Sequence, residues 1–161
     1  MNSFSNDPYN LITSFLDEKD VVYEIIDHEP VFTSEQAASV RGLNPSEGAK
    51  SLLLKTDKGF VLAVLPGDRR LNSKAVRSIL GCKDIRFAAP EEVVANMGCE
   101  IGACYPFGNL ISIRMVVDPS LGDNQFISFN PGRHDRTIRM AWKEYSENVL
   151  PELDHISKLG D

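Results

Sequence analysis

Two neighbouring apolar runs in the middle of the chain constrain its fold most strongly. They cover residues 49–56 and 60–65, and Asp57-Lys58-Gly59 joins them. Runs of this length separated by a short polar linker with a glycine are typical of a β-hairpin. Side chains alternate along a strand, so each face of the first strand carries three of them: Lys50, Leu52 and Leu54 on one face, and Ser51, Leu53 and Lys55 on the other.

The segments on either side of this hairpin show both helical and strand-like patterns. Helical spacing and end signals predict helices over 9–18, 73–80, 90–97 and 142–150. A capping box at 33–36 predicts a further short helix that runs to residue 41. Further strands are predicted over 21–26, 84–88, 110–117, 125–129 and 137–142, and residues 151–161 are expected to form a frayed tail. Hairpins mixed with helices favour an α+β fold with a mixed, curved, barrel-like sheet over a doubly wound parallel sheet.

The length of the chain predicts a single domain. With 161 residues and 42% apolar content, it is long enough for one core and too short for a second independent one. The core is expected within about 21–142, followed by a C-terminal helix and tail over 142–161. The chain has no stretch of about 18 apolar residues and no signal-peptide pattern at its start, so we expect a cytoplasmic protein without membrane attachment.

Charge and cysteine content exclude some functions. A formal net charge of −6 argues against non-specific coating of nucleic acid, DNA included, although residues 69–86 carry six Lys and Arg against one Asp. This stretch is equally consistent with a local contact to a polyanion and with a solvated helix face. Cys82, Cys99 and Cys104 lack the C-x-x-C spacing of structural zinc sites, so we expect neither disulfide nor zinc.

Three features could carry chemistry. Lys50 starts an otherwise apolar row and could either turn to solvent or hold an anion at the mouth of a pocket. The segment 98–108 contains three glycines and a proline, which is consistent with a loop whose backbone approaches a ligand or with an ordinary connector. The turn at 130–136 contains His134, the best candidate for a general base.

Nucleophilic catalysis has little support in the sequence. The chain has no G-x-S-x-G elbow and only three histidines, so a serine triad is not indicated. Cys104 paired with His134 is a minor alternative without a local signature.

Five segments in the same order resemble the YbaK/ProX-type family of aminoacyl-tRNA deacylases, also described as YbaK/aminoacyl-tRNA synthetase-associated domains. The resemblance covers about 21–142 and rests on the sequences HEPVFT at 28–33, GAKSLLL at 48–54, PGDRRL at 66–71, GACYPFG at 102–108 and FNPG at 129–132. It implies a compact α+β domain.

By this resemblance Lys50 matches the functional lysine of the family, and 102–106 matches its G-x-x-x-P loop. The catalytic residues are then Lys50, Gly102 and Pro106. The expected substrate-binding residues are His28, Thr33, Ala103, Cys104, Tyr105, Asn130, Gly132 and His134.

The resemblance also implies a function. Family members hydrolyse the ester between a wrong amino acid and tRNA, so the chain is expected to be a trans-editing deacylase for small amino acids that uses no metal or other cofactor. Its expected partners are the acceptor end of mischarged tRNA and an aminoacyl-tRNA synthetase. The alternatives are a non-catalytic tRNA- or synthetase-binding module of the same fold, and a small hydrolase that acts on free esters or a thiol-dependent enzyme that uses Cys104.

Overall fold

The computed structural model describes residues 7–30 and 44–160. The first element is helix α1, Pro8–Glu18. Proline fits the first helical position because its missing N–H would have no partner there, and the buried Ile12 and Leu16 are spaced one turn apart. The predicted first helix is therefore confirmed.

The predicted hairpin is the centre of a five-stranded mixed sheet. Strands β2 (Ala49–Thr56) and β3 (Gly59–Pro66) pair antiparallel. The sheet order is β5-β2-β3-β6-β9, in which β5 is Ile85–Phe87, β6 is Arg114–Val117 and β9 is Glu152–Leu153. Strand β5 is antiparallel to β2, whereas β6 runs parallel to β3 and β9 parallel to β6.

The other described strands form two smaller sheets. Strands β1 (Tyr23–Asp27), β8 (Arg136–Ala141) and β7 (Phe126–Phe129) form an antiparallel sheet in that order. The third sheet pairs β4 (Arg69–Leu71) with β10 (Ser157–Leu159). The mixed α+β architecture is confirmed, and within the described residues the strands form three open sheets.

Three more predicted helices are present in the described residues, and the first two have the predicted end signals. Helix α2 is Ser73–Leu80, α3 is Pro90–Met97 and α4 is Trp142–Val149. The side-chain oxygen of Asn72 caps α2 by accepting a hydrogen bond from the Ala75 N–H at 3.1 Å. Gly81 and Gly98 end α2 and α3 with φ values of 65° and 66°, which suit glycine.

The strand predicted over 110–117 is shorter than expected. Gly108–Leu110 forms a 3-10 turn, and the N–H of Ile113 bonds back to the carbonyl of Gly108 at 3.1 Å. Ser112 has a φ of 56°, which interrupts an extended backbone. The strand therefore begins only at Arg114.

The expectation of a frayed C-terminal tail is wrong. Strand β9 joins the large sheet, β10 pairs with β4, and Ile156 between them is fully buried. The Asp118 carboxylate accepts hydrogen bonds from the N–H groups of Ile156 and Ser157 at 3.0 and 2.9 Å. The residue pattern of the tail did not indicate this order, because the tail is held by backbone pairing and by a carboxylate that is distant in sequence.

The large sheet separates two hydrophobic cores. Leu53 belongs to the main core, which also contains Tyr105 and Phe107, whereas Leu54 belongs to a second core formed with α2 and Ile156. The two faces predicted for β2 therefore meet different parts of the protein. The predicted capping box at 33–36 and its helix lie outside the described residues.

Candidate functional site

Lys50 lies near the start of β2, on the face that turns toward α2. Its Nζ donates a hydrogen bond to the carbonyl oxygen of Arg69 at 2.7 Å. The side chain is partly buried, and this burial lowers the pKa of the Lys50 ammonium because it removes the charge from water, while the nearby Asp68 carboxylate acts in the opposite direction. Lys50 is thus a fixed cation rather than a solvated strand-end lysine.

Lys50 borders an open pocket of about 580 Å³. The pocket lies between β2, the start of α2, β5 and the C-terminal strand β10. Its lining residues are Lys50, Leu52, Arg70, Leu71, Asn72, Ser73, Lys74, Phe87 and Lys158. Four of these side chains are cationic and none of the described lining residues is acidic, so the pocket favours an anion.

The G-x-x-x-P loop is held in shape by the main core. Gly102 has a φ of 89°, which favours glycine, and the residues from Ala103 to Pro106 are buried. The Tyr105 hydroxyl donates to the Met97 carbonyl at 2.6 Å, and the Tyr145 hydroxyl donates to the Pro106 carbonyl at 2.7 Å. The loop is therefore clamped at two points, and the Tyr105 side chain serves as an anchor.

The turn after β7 packs directly against this loop. The side-chain amide of Asn130 donates to the Gly102 carbonyl at 3.0 Å. Nε2 of His134 lies 3.8 Å from Oε2 of Glu100, a contact that becomes an ion pair when the imidazole is protonated. Gly132 has a φ of 80° and lies against Pro8 of α1. The structure thus brings the turn that carries Asn130 and His134 against the loop that begins at Gly102, although 28 positions separate Asn130 from Gly102.

Two cysteines lie beside the loop as buried thiols. Cys99 and Cys104 are each 6% exposed. The Cys99 thiol donates a hydrogen bond to the Cys104 sulfur, which lowers the pKa of Cys104 and raises that of Cys99. A nucleophile must reach its substrate, so the burial of Cys104 argues against the thiol-dependent alternative.

His28 has hydrogen bonds at both ring nitrogens. Nδ1 is 2.7 Å from the carbonyl oxygen of Glu29, and Nε2 is 2.7 Å from the hydroxyl of Thr137 on β8. A carbonyl only accepts, so Nδ1 donates the hydrogen bond to Glu29, and the hydroxyl of Thr137 can pair with Nε2 as donor or acceptor. His28 therefore joins the end of β1 to β8, and its predicted role in substrate binding stays a prediction. Thr33 lies outside the described residues.

The predicted site residues form two groups on either side of β2. The Lys50 side chain faces the pocket and the second core, whereas the loop packs in the main core with Leu53. The groups approach each other at the strand end, because Gly48 forms a parallel bridge with Ser128. Lys50 comes two residues after Gly48, and Asn130 comes two residues after Ser128. The two residues therefore lie on adjacent segments of the chain.

The sequence missed part of the pocket beside Lys50. Arg70 and Lys74 fall within the basic stretch 69–86, which was a usable signal. No pattern in the sequence pointed to Phe87 or Lys158. Their side chains line the pocket only because the fold places β5 and β10 next to it.

Comparison with known proteins places this arrangement in a family. A sequence model of the aminoacyl-tRNA editing domain matches residues 28–147, which is more than half of the chain. The chain therefore belongs to the aminoacyl-tRNA editing domain family.

Individual relatives are of two kinds. A proline–tRNA ligase from Geobacillus sp. (strain WCH70) is 35% identical over 154 residues, covering 80% of this chain but only 27% of the ligase. The prolyl-tRNA editing protein ProX of Acetoanaerobium sticklandii is 24% identical over 149 residues, covering 89% of this chain and 91% of ProX. The chain thus spans about a quarter of the ligase and nearly all of the ProX protein.

Solved structures share the fold. The hypothetical protein APE2540 superimposes with a TM-score of 0.83 at 24% identity, over 92% of this chain and 99% of that protein. A candidate trans-editing enzyme for prolyl-tRNA synthetase gives a TM-score of 0.82 at 20% identity, over 95% and 98%. At these identities the likeness shows the fold alone. Within the described residues, no helix is long and apolar enough to cross a bilayer.

Proposed function

We propose that this chain is a trans-editing deacylase that hydrolyses the ester of mischarged tRNA carrying a small amino acid. The family match over 28–147 carries this proposal, because it spans Lys50, the loop and the turn together. The names of the relatives make tRNA for proline the first substrate to test, with a prolyl-tRNA synthetase as the partner.

The reaction requires an anchored tRNA end, a polarised ester carbonyl and a positioned water or ribose hydroxyl. We assign the first two needs to Lys50, whose ammonium holds the terminal nucleotide or offsets negative charge forming at the ester. The hydrogen bond to Arg69 supports this role because it fixes the ammonium at the pocket mouth. No step requires a strong protein nucleophile or a metal.

The loop residues Gly102 to Pro106 are assigned to the amino acid. Residues Ala103 to Pro106 are buried, and Tyr145 clamps the loop at Pro106, so they form a rigid wall that can exclude large side chains sterically. Exclusion by size is effective, whereas rejecting a smaller side chain through lost contacts gives only about 1–3 kcal/mol per methylene. Small amino acids such as alanine, serine or cysteine are therefore the proposed targets.

The decisive experiment measures release of labelled amino acid from tRNAs charged with alanine, serine or cysteine. The proline-specific tRNA, mischarged with each of these amino acids, is one of the substrates. We compare wild type with Lys50→Ala, and with Lys55→Ala as the matched control. Lys55 lies on the other face of β2, over the Phe60 ring at 4.5 Å. Release that is lost only in Lys50→Ala would support the proposal.

No release from any charged tRNA, with tRNA binding intact, would instead indicate a non-catalytic binding module. Cys104→Ala separates the third alternative, since a thiol-dependent hydrolase would lose its activity in this variant. Activity that is retained in Cys104→Ala would exclude this alternative, which the burial of the thiol already disfavours.

A further inference from the structure

The pocket beside Lys50 combines two features that the proposed reaction does not use. Phe87 on β5 is 61% exposed, although an aromatic side chain of this size is normally buried. Lys74, in the first turn of α2, and Lys158 on β10 line the same pocket and are exposed. An exposed aromatic ring beside cations is the combination with which proteins bind single-stranded nucleic acid.

The position of Lys158 depends on a specific anchor. Residues 157–159 pair with β4, and Lys158 lies opposite Arg70 in the register. Arg69 Nε donates to the Ser157 hydroxyl at 2.7 Å, and Asp118 binds the neighbouring backbone. The C-terminal strand thus forms a fixed wall of the pocket and supplies one of its charges.

We propose that this pocket binds the single-stranded 3′ end of the RNA, with one base stacked on Phe87 and the phosphates contacting Lys74 and Lys158. The proposal rests on the proposed function for the identity of the RNA and extends it to the residues that hold the strand. Charge complementarity supports this occupant, since four cations line the pocket and a nucleotide strand carries one negative charge per phosphate.

The test measures binding of a fluorescein-labelled RNA minihelix with a four-nucleotide 3′ overhang, compared with the same minihelix with a blunt end, by fluorescence anisotropy. We expect the overhang to bind more tightly. Phe87→Ala should weaken overhang binding by about 5- to 150-fold, because stacking of one base contributes about 1–3 kcal/mol. Phe87→Trp should retain binding, whereas Phe87→Leu, which keeps an apolar side chain but not the ring, should not.

The lysines are tested through the salt dependence. Lys74→Ala and Lys158→Ala should each reduce the slope of log K against log salt by about 0.7, the value for one phosphate of a single strand. Lys143→Ala, an exposed lysine of α4 outside the pocket lining, is the matched control and should leave the slope unchanged.

Equal binding of the overhang and blunt minihelices, or unchanged affinity in Phe87→Ala, would overturn the proposal. Tighter binding of free adenosine monophosphate than of the overhang would also overturn it, by identifying a free nucleotide as the occupant. The deacylase proposal is judged separately: if wild type releases no amino acid but overhang binding depends on Phe87, then only the catalytic assignment fails.

Discussion

Asp118 is the residue whose substitution best tests how the C-terminal strand is held. Its carboxylate is 1% exposed and accepts five hydrogen bonds, from the N–H and hydroxyl of Ser120, the N–H of Ile156, and the N–H and hydroxyl of Ser157. Burial alone would raise the pKa of Asp118, but these hydrogen bonds outweigh it and hold the pKa below the usual value. The ionised form is therefore the form that stabilises the fold.

Asp118→Asn keeps the shape and replaces one acceptor oxygen by an NH₂ donor. The least unfavourable orientation turns this NH₂ toward Ser120, whose hydroxyl can accept, and leaves the Ser120 N–H without a partner. An unpaired buried donor costs about 1–3 kcal/mol, and the bonds to Ile156 and Ser157 lose their charge assistance. We expect a loss of about 2–4 kcal/mol in the free energy of unfolding, or roughly 4–16 °C in Tm for a domain of this size.

Urea and thermal denaturation measure this loss, and Asp154→Asn is the matched control. Among the described residues, Asp154 accepts one hydrogen bond, from the neighbouring His155 N–H at 2.8 Å in an exposed position, so its substitution should change stability by less than about 0.5 kcal/mol. A lowered pKa means that the contribution of Asp118 is present above the usual pKa of 3.8 and is lost as pH falls through the folded-state value. The difference between wild type and Asp118→Asn should therefore shrink in acid. A loss below about 1 kcal/mol at pH 7 would refute the reasoning.

Three further predictions concern the loop, the turn and Lys50. Gly132→Ala should destabilise the fold by about 1–3 kcal/mol in urea titration, because φ is 80° and a Cβ would lie 2.8 Å from the Pro8 Cβ; unchanged stability would show that the turn can move. Tyr145→Phe leaves the Pro106 carbonyl without its donor at 2.7 Å, so we expect the free energy of unfolding to fall by about 1–3 kcal/mol and the loop amides to exchange faster. Unaltered exchange would contradict the proposed clamp. Burial lowers the pKa of Lys50, so the deacylation rate, corrected for spontaneous hydrolysis, should fall as the pH rises through this pKa, which lies below the usual 10.5. If charge alone matters, Lys50→Arg should keep activity to higher pH. A pH profile without this decline would argue against the ammonium as the active form.

Local chemistry determined most of the secondary structure. The hairpin followed from two apolar runs around Gly59, and helix α2 followed from the cap at Asn72 and the stop at Gly81. Such signals are readable because each depends on residues within a few positions of one another. The family resemblance also came from the sequence alone, since five short segments kept their order.

Only the tertiary structure determined how these segments combine into sites. Alternation placed Lys50 on one face of β2, but the pairing of β5 and β10 with distant strands placed Phe87 and Lys158 beside it. The contact between Asn130 and Gly102 likewise joins residues 28 positions apart. Contacts of this kind depend on backbone pairing and on single buried polar groups such as Asp118, which leave no periodic pattern in the sequence, and for this reason the tail was predicted as frayed although it forms one wall of the pocket.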